Sequence, residues 1–130
     1  MLVFLFGGYM RKNILIVDDS LFMRNILKRT IQNTGLDLNI VGEASNGIEA
    51  LEQFHKLKPD IVTLDVTMDK KDGLDTLKDI RKINTEAKVI MVSAMGQEFI
   101  VLDAVKSGAN DFIVKPFTDK KIYDTFSKFL

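Results

Sequence analysis

The stretch ILIVDDS, residues 14–20, joins four apolar residues directly to the adjacent carboxylates Asp18 and Asp19. The apolar part is continuous and rich in β-branched side chains, which is typical of a strand buried on both faces of a parallel sheet. Ser20 then offers a side chain that can cap the start of a helix. The stretch therefore predicts a strand that ends in negative charge and leads at once into a helix.

The same alternation recurs along the rest of the chain. Short apolar runs lie at residues 14–17, 38–41, 61–64, 88–92 and 112–114. Segments with helical spacing follow them, and turn or cap signals stand at Asn46-Gly47, Asp72-Gly73, Gly35 and Gly108. Five strand–helix units predict βαβ crossovers, and hence an α/β domain whose parallel sheet is covered on both faces.

The first and last helices carry more specific packing predictions. In the first helix, one apolar face is formed by Phe22, Ile26 and Thr30, with Met23, Leu27 and Ile31 beside it. In the last helix, we expect Phe126, Phe129 and Leu130 to lie mostly in the core, with a surface position facing a partner as the alternative for some of them.

Composition limits the class of protein. A chain of 130 residues with 46% hydrophobic and 28% charged residues is typical of one globular domain. Because 18 Lys and Arg balance 18 Asp and Glu, net charge gives no reason to expect a nucleic-acid partner. The absence of cysteine excludes disulfides, thiolate zinc sites and a cysteine nucleophile, and it suits a cytoplasmic location.

The N-terminal stretch MLVFLFGGY stands apart from this pattern. Its apolar run is shorter than a signal-peptide core of about 7–15 residues and far shorter than the roughly 20 residues of a spanning helix. We predict that residues 1–9 are an appendage left by a start assigned too far upstream, and that the domain covers residues 10–130. A segment that extends a sheet edge or packs on a neighbour is one alternative, and a membrane role is another.

Polar side chains follow four of the five predicted strands. They are Asp18, Asp19, Asp65, Ser93 and Lys115. In open parallel sheets, ligands bind beyond the carboxyl ends of the strands, so we expect these side chains to converge there. The second strand is followed by Glu43, Ala44 and Ser45, and we expect these residues to contribute no comparable side chain to the site.

Converging carboxylates require a cation. Two carboxylates about 4 Å apart repel each other by roughly 4 kcal/mol at an effective dielectric constant near 20. Lys115 supplies one positive charge, and Mg²⁺ can supply the rest because it binds carboxylates together with water and phosphate oxygens. Such a pocket suits phosphoryl transfer, with Ser93 as a hydrogen-bond donor. Since the set contains no Cys or His, the available nucleophile is a carboxylate, which can form an acyl phosphate.

Four motifs together resemble the receiver domain of two-component response regulators. They are ILIVDDS, IVTLDVTM followed by DG, VIMVSAMG and GANDFIVKPF, in that order along the chain. The resemblance covers the chain from about Met10 to Leu130. It implies a flavodoxin-like (βα)5 fold, with a doubly wound, five-stranded parallel sheet in the order 2-1-3-4-5.

The resemblance implies a role for each acid of the pocket. Asp65 would be the phosphate acceptor. Asp19, Asp65 and the backbone carbonyl of Thr67 would bind Mg²⁺ directly, with Asp18 acting through water. Thr67 and Met95 would flank the acceptor and tune its dephosphorylation.

The resemblance also implies how phosphorylation is sensed. Ser93 would donate a hydrogen bond to the phosphoryl group, and Lys115 would pair with one of its oxygens. The Lys115-Pro116 bond would be cis. Phe112 would be the aromatic switch residue, rotating inward when Ser93 moves toward the phosphoryl group.

No effector domain follows the receiver motifs, so the resemblance implies a stand-alone monomeric receiver that is not an enzyme acting on small molecules. Its partners would be a histidine kinase and, in chemotaxis, a flagellar motor switch protein. Alternatives are a phosphorelay intermediate serving a histidine phosphotransferase and a pseudo-receiver that binds partners without phosphorylation. A haloacid-dehalogenase-type phosphatase is disfavoured, because that family needs a second Asp where Thr67 stands. Neither nucleic acid nor a membrane is an expected partner.

One position departs from the family pattern. After the acceptor, the family commonly has Met-Pro, whereas this chain has Met68-Asp69. Loss of proline removes a fixed φ and predicts a more mobile loop. Asp69 also adds negative charge near the pocket, so we expect altered kinetics or partner contact without loss of the metal site.

Overall fold

The strands and helices alternate from end to end of residues 11–130, the part of the chain that the computed structural model describes. The strands are β1 Lys12–Val17, β2 Leu38–Ala44, β3 Ile61–Leu64, β4 Lys88–Ser93 and β5 Asp111–Val114. The helices are α1 Leu21–Asn33, α2 Gly47–Leu57, α3 Gly73–Ile83, α4 Glu98–Lys106 and α5 Asp119–Ser127. The predicted appendage at residues 1–9 and the predicted domain start at Met10 lie outside the described residues.

The sheet is parallel throughout and has the order β2-β1-β3-β4-β5, which confirms the predicted doubly wound, flavodoxin-like fold. Alternate residues of β1 enter two separate cores. Leu15 and Val17 belong to the core beneath α2, α3 and α4. Ile14 and Ile16 belong to the core beneath α1 and α5. The uninterrupted apolar run of β1 follows from this burial on both faces.

Helices α1, α2 and α3 each begin with a side-chain cap close to the carboxyl end of a strand. Ser20, Asn46 and Asp72 accept hydrogen bonds from backbone N–H groups three residues ahead. These caps fix where the chain turns from strand to helix, and so they position the side chains at that edge. The cap signals at Gly35 and Gly108 are confirmed, since both glycines have positive φ, 73° and 110° respectively.

Two packing predictions need correction. Phe22 is 72% exposed, because the buried side chains of α1 begin one turn later, at Leu27. Phe126 is fully buried as predicted, but α5 ends at Ser127 and Leu130 is exposed. Within residues 11–130, no helix combines the length and apolar character needed to cross a bilayer.

Candidate functional site

The carboxylates of Asp18, Asp19 and Asp65 converge at the carboxyl edge of the sheet. Each offers one oxygen atom, and the three oxygens lie within 4.8 Å of one another. Strands β1 and β3 are neighbours, and the Asp65 amide donates to the Val17 carbonyl at 3.1 Å, which sets the acids side by side. We call these three carboxylates the acidic cup. Asp18 and Asp65 are buried, whereas Asp19 is exposed.

Lys115 reaches the acidic cup from the end of β5. Its Nζ donates to Asp18 Oδ2 at 2.6 Å and to Asp65 Oδ2 at 3.0 Å. Burial alone would lower the pKa of Lys115, but the hydrogen bonds and charges of Asp18 and Asp65 outweigh it and raise that pKa. The ammonium therefore stays charged and neutralises part of the cup. The Lys115-Pro116 peptide bond is cis, as predicted.

Lys115 does not neutralise all the negative charge of the acidic cup, and the charge that remains suits the binding of a hard divalent cation. Desolvation, followed by the charges of Asp18, Asp65 and Asp69, raises the pKa of the Asp19 carboxyl. One ammonium does not balance three carboxylates, and the cluster consists of oxygen donors only. This donor set suits Mg²⁺, which prefers carboxylates and keeps several waters.

Ser93 and Phe112 lie on the strands beside the cup. Ser93 ends β4 and is buried, and its Oγ accepts a hydrogen bond from the Met95 amide at 3.1 Å. Phe112 pairs in register with Met91 of β4 and is half-buried against the core beneath α2, α3 and α4. Thr67 is exposed, and its hydroxyl donates to the Met95 sulfur at 2.9 Å. This contact joins the loops that follow β3 and β4.

Residues 14–127 match the family model of the response regulator receiver domain. The chain belongs to this family. The receiver domain is 50% identical to the chemotaxis protein CheY of Thermotoga maritima over 119 residues, which are 92% of this chain and 98% of that protein. It is 45% identical to CheY of Bacillus subtilis over 121 residues, covering 93% and 99% of the two chains.

A solved structure agrees with these relatives. The CheX-CheY-BeF3-Mg²⁺ complex of Borrelia burgdorferi matches with a TM-score of 0.86 and 39% identity. The match covers 96% of this chain and 94% of that one. The protein is therefore a CheY-like response regulator receiver domain.

Gly73 of the receiver domain packs directly against the backbone of Asp65. Its amide donates to the Val66 carbonyl at 2.7 Å. A Cβ at this position would overlap the Asp65 carbonyl oxygen and would stand 2.7 Å from the carbonyl carbon. Glycine is needed here because α3 begins so close to β3. Through this close packing and its hydrogen bond, Gly73 of the Asp72-Gly73 pair holds the backbone at Asp65 and Val66 in place.

The loop that departs from the family pattern is attached to α2 and α3. The Lys71 carbonyl accepts a hydrogen bond from the Gly47 amide at 3.1 Å. Lys71 Nζ pairs with Asp79 at 2.7 Å, and this hydrogen bond raises the pKa of Lys71. Asp69 is exposed, and its charge contributes to the raised pKa of Asp19. The extra negative charge near the cup is thus present, as the sequence predicts.

Within the described residues, the end of β2 adds no carboxylate to the acidic cup, as expected, but Glu43 pairs with two cations of α1. Glu43 Oε1 accepts from Arg24 Nε at 2.9 Å, and Glu43 Oε2 accepts from Lys28 Nζ at 2.6 Å. Arg24 also donates through Nη1 to the backbone carbonyl of Asp18 at 2.6 Å. The i, i+4 spacing of Arg24 and Lys28 is the only signal in the sequence, and it does not show that β2 places a carboxylate opposite them.

Proposed function

We propose that this receiver domain is a chemotaxis switch in which Asp65 accepts a phosphoryl group from a histidine kinase with the help of Mg²⁺. The observation that supports it most is the joining of Asp18 and Asp65 by Lys115 within a cluster of three carboxylates. These residues come from three different strand ends. A merely structural ion pair would not need the additional, exposed carboxylate of Asp19.

The geometry suits Asp65 as the nucleophile. Lys115 holds Asp65 Oδ2, and no hydrogen bond within residues 11–130 reaches Oδ1. In the proposed step, an Asp65 oxygen bonds to phosphorus while the phosphorus–nitrogen bond of the donor histidine breaks, and the electron pair returns to that nitrogen. Bound Mg²⁺, held by Asp19, Asp65 and the Thr67 carbonyl with Asp18 nearby, would neutralise charge on the transferred group.

Lys115 and Ser93 would then hold the product. The Lys115 ammonium can turn from the carboxylates to a phosphoryl oxygen, and the Ser93 hydroxyl can donate a hydrogen bond to another. Phosphorylation adds up to two negative charges and three acceptor oxygens, enough to draw both donors. Movement of Ser93 would vacate space beside Phe112, so that the aromatic ring turns inward. This links the acceptor to β5, the edge strand of the sheet.

The edge of the sheet supplies a surface that a partner can read. Helices α4 and α5 flank β5, and all three elements carry exposed apolar side chains. We call this surface the apolar edge face; its members are Phe99, Leu102, Val105, Val114 and Tyr123. Contiguous exposed apolar side chains on a protein surface mark interaction sites. Because the relatives are chemotaxis proteins, we propose that a flagellar motor switch protein binds here.

Incubation with acetyl phosphate and Mg²⁺, followed by intact-mass measurement, tests the proposal. We expect one added phosphoryl group, which is absent with a chelator and absent in Asp65→Asn. The matched control is Asp103→Asn, which removes an exposed carboxylate of α4 and should leave phosphorylation unchanged.

Two results would contradict the proposal. Unmodified wild-type protein would favour a pseudo-receiver, and a phosphoryl group that persists in Asp65→Asn would place the acceptor elsewhere. The phosphorylated protein should then bind a motor-switch peptide. Phosphoryl transfer to a histidine phosphotransfer domain, without peptide binding, would instead identify a phosphorelay intermediate.

A further inference from the structure

We propose that Arg24 is a positioning residue for the acidic cup: it holds the peptide unit between Asp18 and Asp19 and thereby sets the affinity for Mg²⁺. The inference rests on the proposed function, because it concerns the same metal site. Arg24 touches none of the three carboxylates through the hydrogen bonds that the structure gives it. Its effect passes through the backbone.

The guanidinium of Arg24 joins the ends of two strands. Nη1 donates to the Asp18 carbonyl at 2.6 Å, and Nε donates to Glu43 at 2.9 Å. The side chain is largely buried, with 14% of its surface exposed. Guanidinium presents several donors in one rigid plane, so that a single side chain can hold both acceptors at once.

Glu43 keeps Arg24 in place. The hydrogen bond from Lys28, opposed by partial burial and reinforced by Arg24, lowers the pKa of Glu43. Glu43 therefore stays ionised at neutral pH and anchors the guanidinium from β2.

The peptide that Arg24 holds is the one that directs Asp19. The carbonyl of Asp18 and the amide of Asp19 belong to the same planar unit, so fixing the carbonyl fixes the start of Asp19. The Asp18 carboxylate has further restraints, since the Ser20 amide and Lys115 donate to it. Within residues 11–130, no backbone amide or cationic side chain donates to the Asp19 carboxylate, so its position depends on the backbone.

Magnesium titration of Arg24→Met, Arg24→Lys and Glu43→Gln tests the inference. Dissociation constants come from calorimetry, and urea unfolding measures the stability of each variant. Outer partners of metal ligands change affinity by at least tenfold when they are lost, so we expect about tenfold weaker Mg²⁺ binding in Arg24→Met. Arg24→Lys keeps the charge but cannot hold both acceptors, and Glu43→Gln loosens the guanidinium, so each should weaken binding by a smaller factor.

The matched control is Arg81→Met. The guanidinium of Arg81 likewise holds backbone carbonyls, those of Gly108 at 2.9 Å and Ala87 at 2.6 Å. These carbonyls belong to the loops that precede β5 and β4, at the amino ends of the strands, whereas the acidic cup lies at their carboxyl ends. We expect this variant to lose stability without any change in the Mg²⁺ dissociation constant. The ¹⁵N shift of the Asp19 amide, measured without metal, should move in the Arg24 variants and not in Arg81→Met.

Each failure has its own signature. Wild-type affinity in folded Arg24→Met or Arg24→Lys overturns the positioning role and leaves the proposed function standing. Equal weakening in Arg81→Met overturns it too, because the effect would then be general loss of stability. If Arg24→Met does not fold, Arg24→Lys and Glu43→Gln decide. Wild-type protein that binds no Mg²⁺ contradicts both this inference and the proposed function.

Discussion

Gly73 lies so close to the end of β3 that any side chain there must displace the backbone of Asp65. We expect Gly73→Ala to lower the free energy of unfolding by at least about 2 kcal/mol, as overpacking against backbone does, and to slow phosphorylation by acetyl phosphate. Urea unfolding and intact-mass kinetics measure the two effects.

Gly35→Ala is the control for Gly73→Ala. Gly35 has a φ of 73°, but beyond Gly35 and its two chain neighbours no heavy atom lies within 4 Å of the position that an alanine methyl would take, so only the left-handed backbone opposes alanine. We expect a cost of about 1 kcal/mol and an unchanged phosphorylation rate. Equal losses in the two variants would contradict the steric account of Gly73.

Lys115 balances two buried carboxylates, so its removal leaves Asp18 and Asp65 without their cation. We expect Lys115→Met to lower the free energy of unfolding by about 3 kcal/mol without metal, the usual cost of leaving one side of a buried ion pair. Mg²⁺ should stabilise this variant more than it stabilises the wild type, because more charge in the cup is left to neutralise.

Urea unfolding with chelator and with Mg²⁺ measures both effects. Lys120→Met is the control, because Lys120 pairs with Asp124 on the exposed side of α5. Exposed ion pairs contribute little to stability because water screens them, so this variant should lose little. A loss in Lys115→Met no larger than that in Lys120→Met would argue against a charge-balancing role.

Ion pairs join Glu43 of β2 to Arg24 and Lys28 of α1. Their contribution to the stability of the fold should depend on pH. The hydrogen bond from Lys28 lowers the pKa of Glu43 from its ordinary value of 4.5. A carboxyl whose folded-state pKa is depressed stabilises the fold above the unfolded pKa, and this contribution is lost as the pH falls through the folded pKa. The stability difference between wild type and Glu43→Gln should therefore be constant above about pH 5.5 and shrink below pH 4.5.

Urea unfolding across this pH range measures the difference. Glu52→Gln, which removes an exposed carboxylate of α2, is the control and should show no comparable change. If the Glu43→Gln difference stays constant down to the acid limit of folding, the ion pairs with Arg24 and Lys28 do not stabilise the helix contact.

The strands and the cup could be predicted from the sequence because their signals are local. A strand buried on both faces must be continuously apolar, and the acids follow such strands directly, as Asp65 follows β3. The contact of Arg24 with Asp18 and Glu43 could not be predicted, since it depends on how α1 lies across two strands. The exposure of Phe22 was missed for a related reason: helical spacing gives the shared face but not where the neighbouring sheet ends.

Across the whole molecule, the acidic cup and the apolar edge face lie on different parts of one sheet. Asp65 follows β3, and Ser93 ends β4, the strand between β3 and the edge strand β5. Ser93 pairs with Val114 of β5, and Phe112 pairs with Met91 of β4, so we expect a shift at Ser93 to reach the edge strand through directly bonded strands. Helix α2 lies near the other end of the sheet, over β2, and should not sense it.

Hydrogen exchange with BeF3 and Mg²⁺ tests this direction of coupling. Amide exchange should change in α4 and β5, because in the proposed switch the phosphoryl-like group would move Ser93 of β4 and Phe112 of β5, and it should stay constant in α2. Asp65→Asn should abolish the change because the group has no acceptor. Ser93→Ala should still bind Mg²⁺ but transmit less of the change, since its hydroxyl is missing. Exchange that changes equally in α2 and α4 would mean that the ligand stiffens the whole domain, and that Ser93 and Phe112 do not carry the signal to the edge.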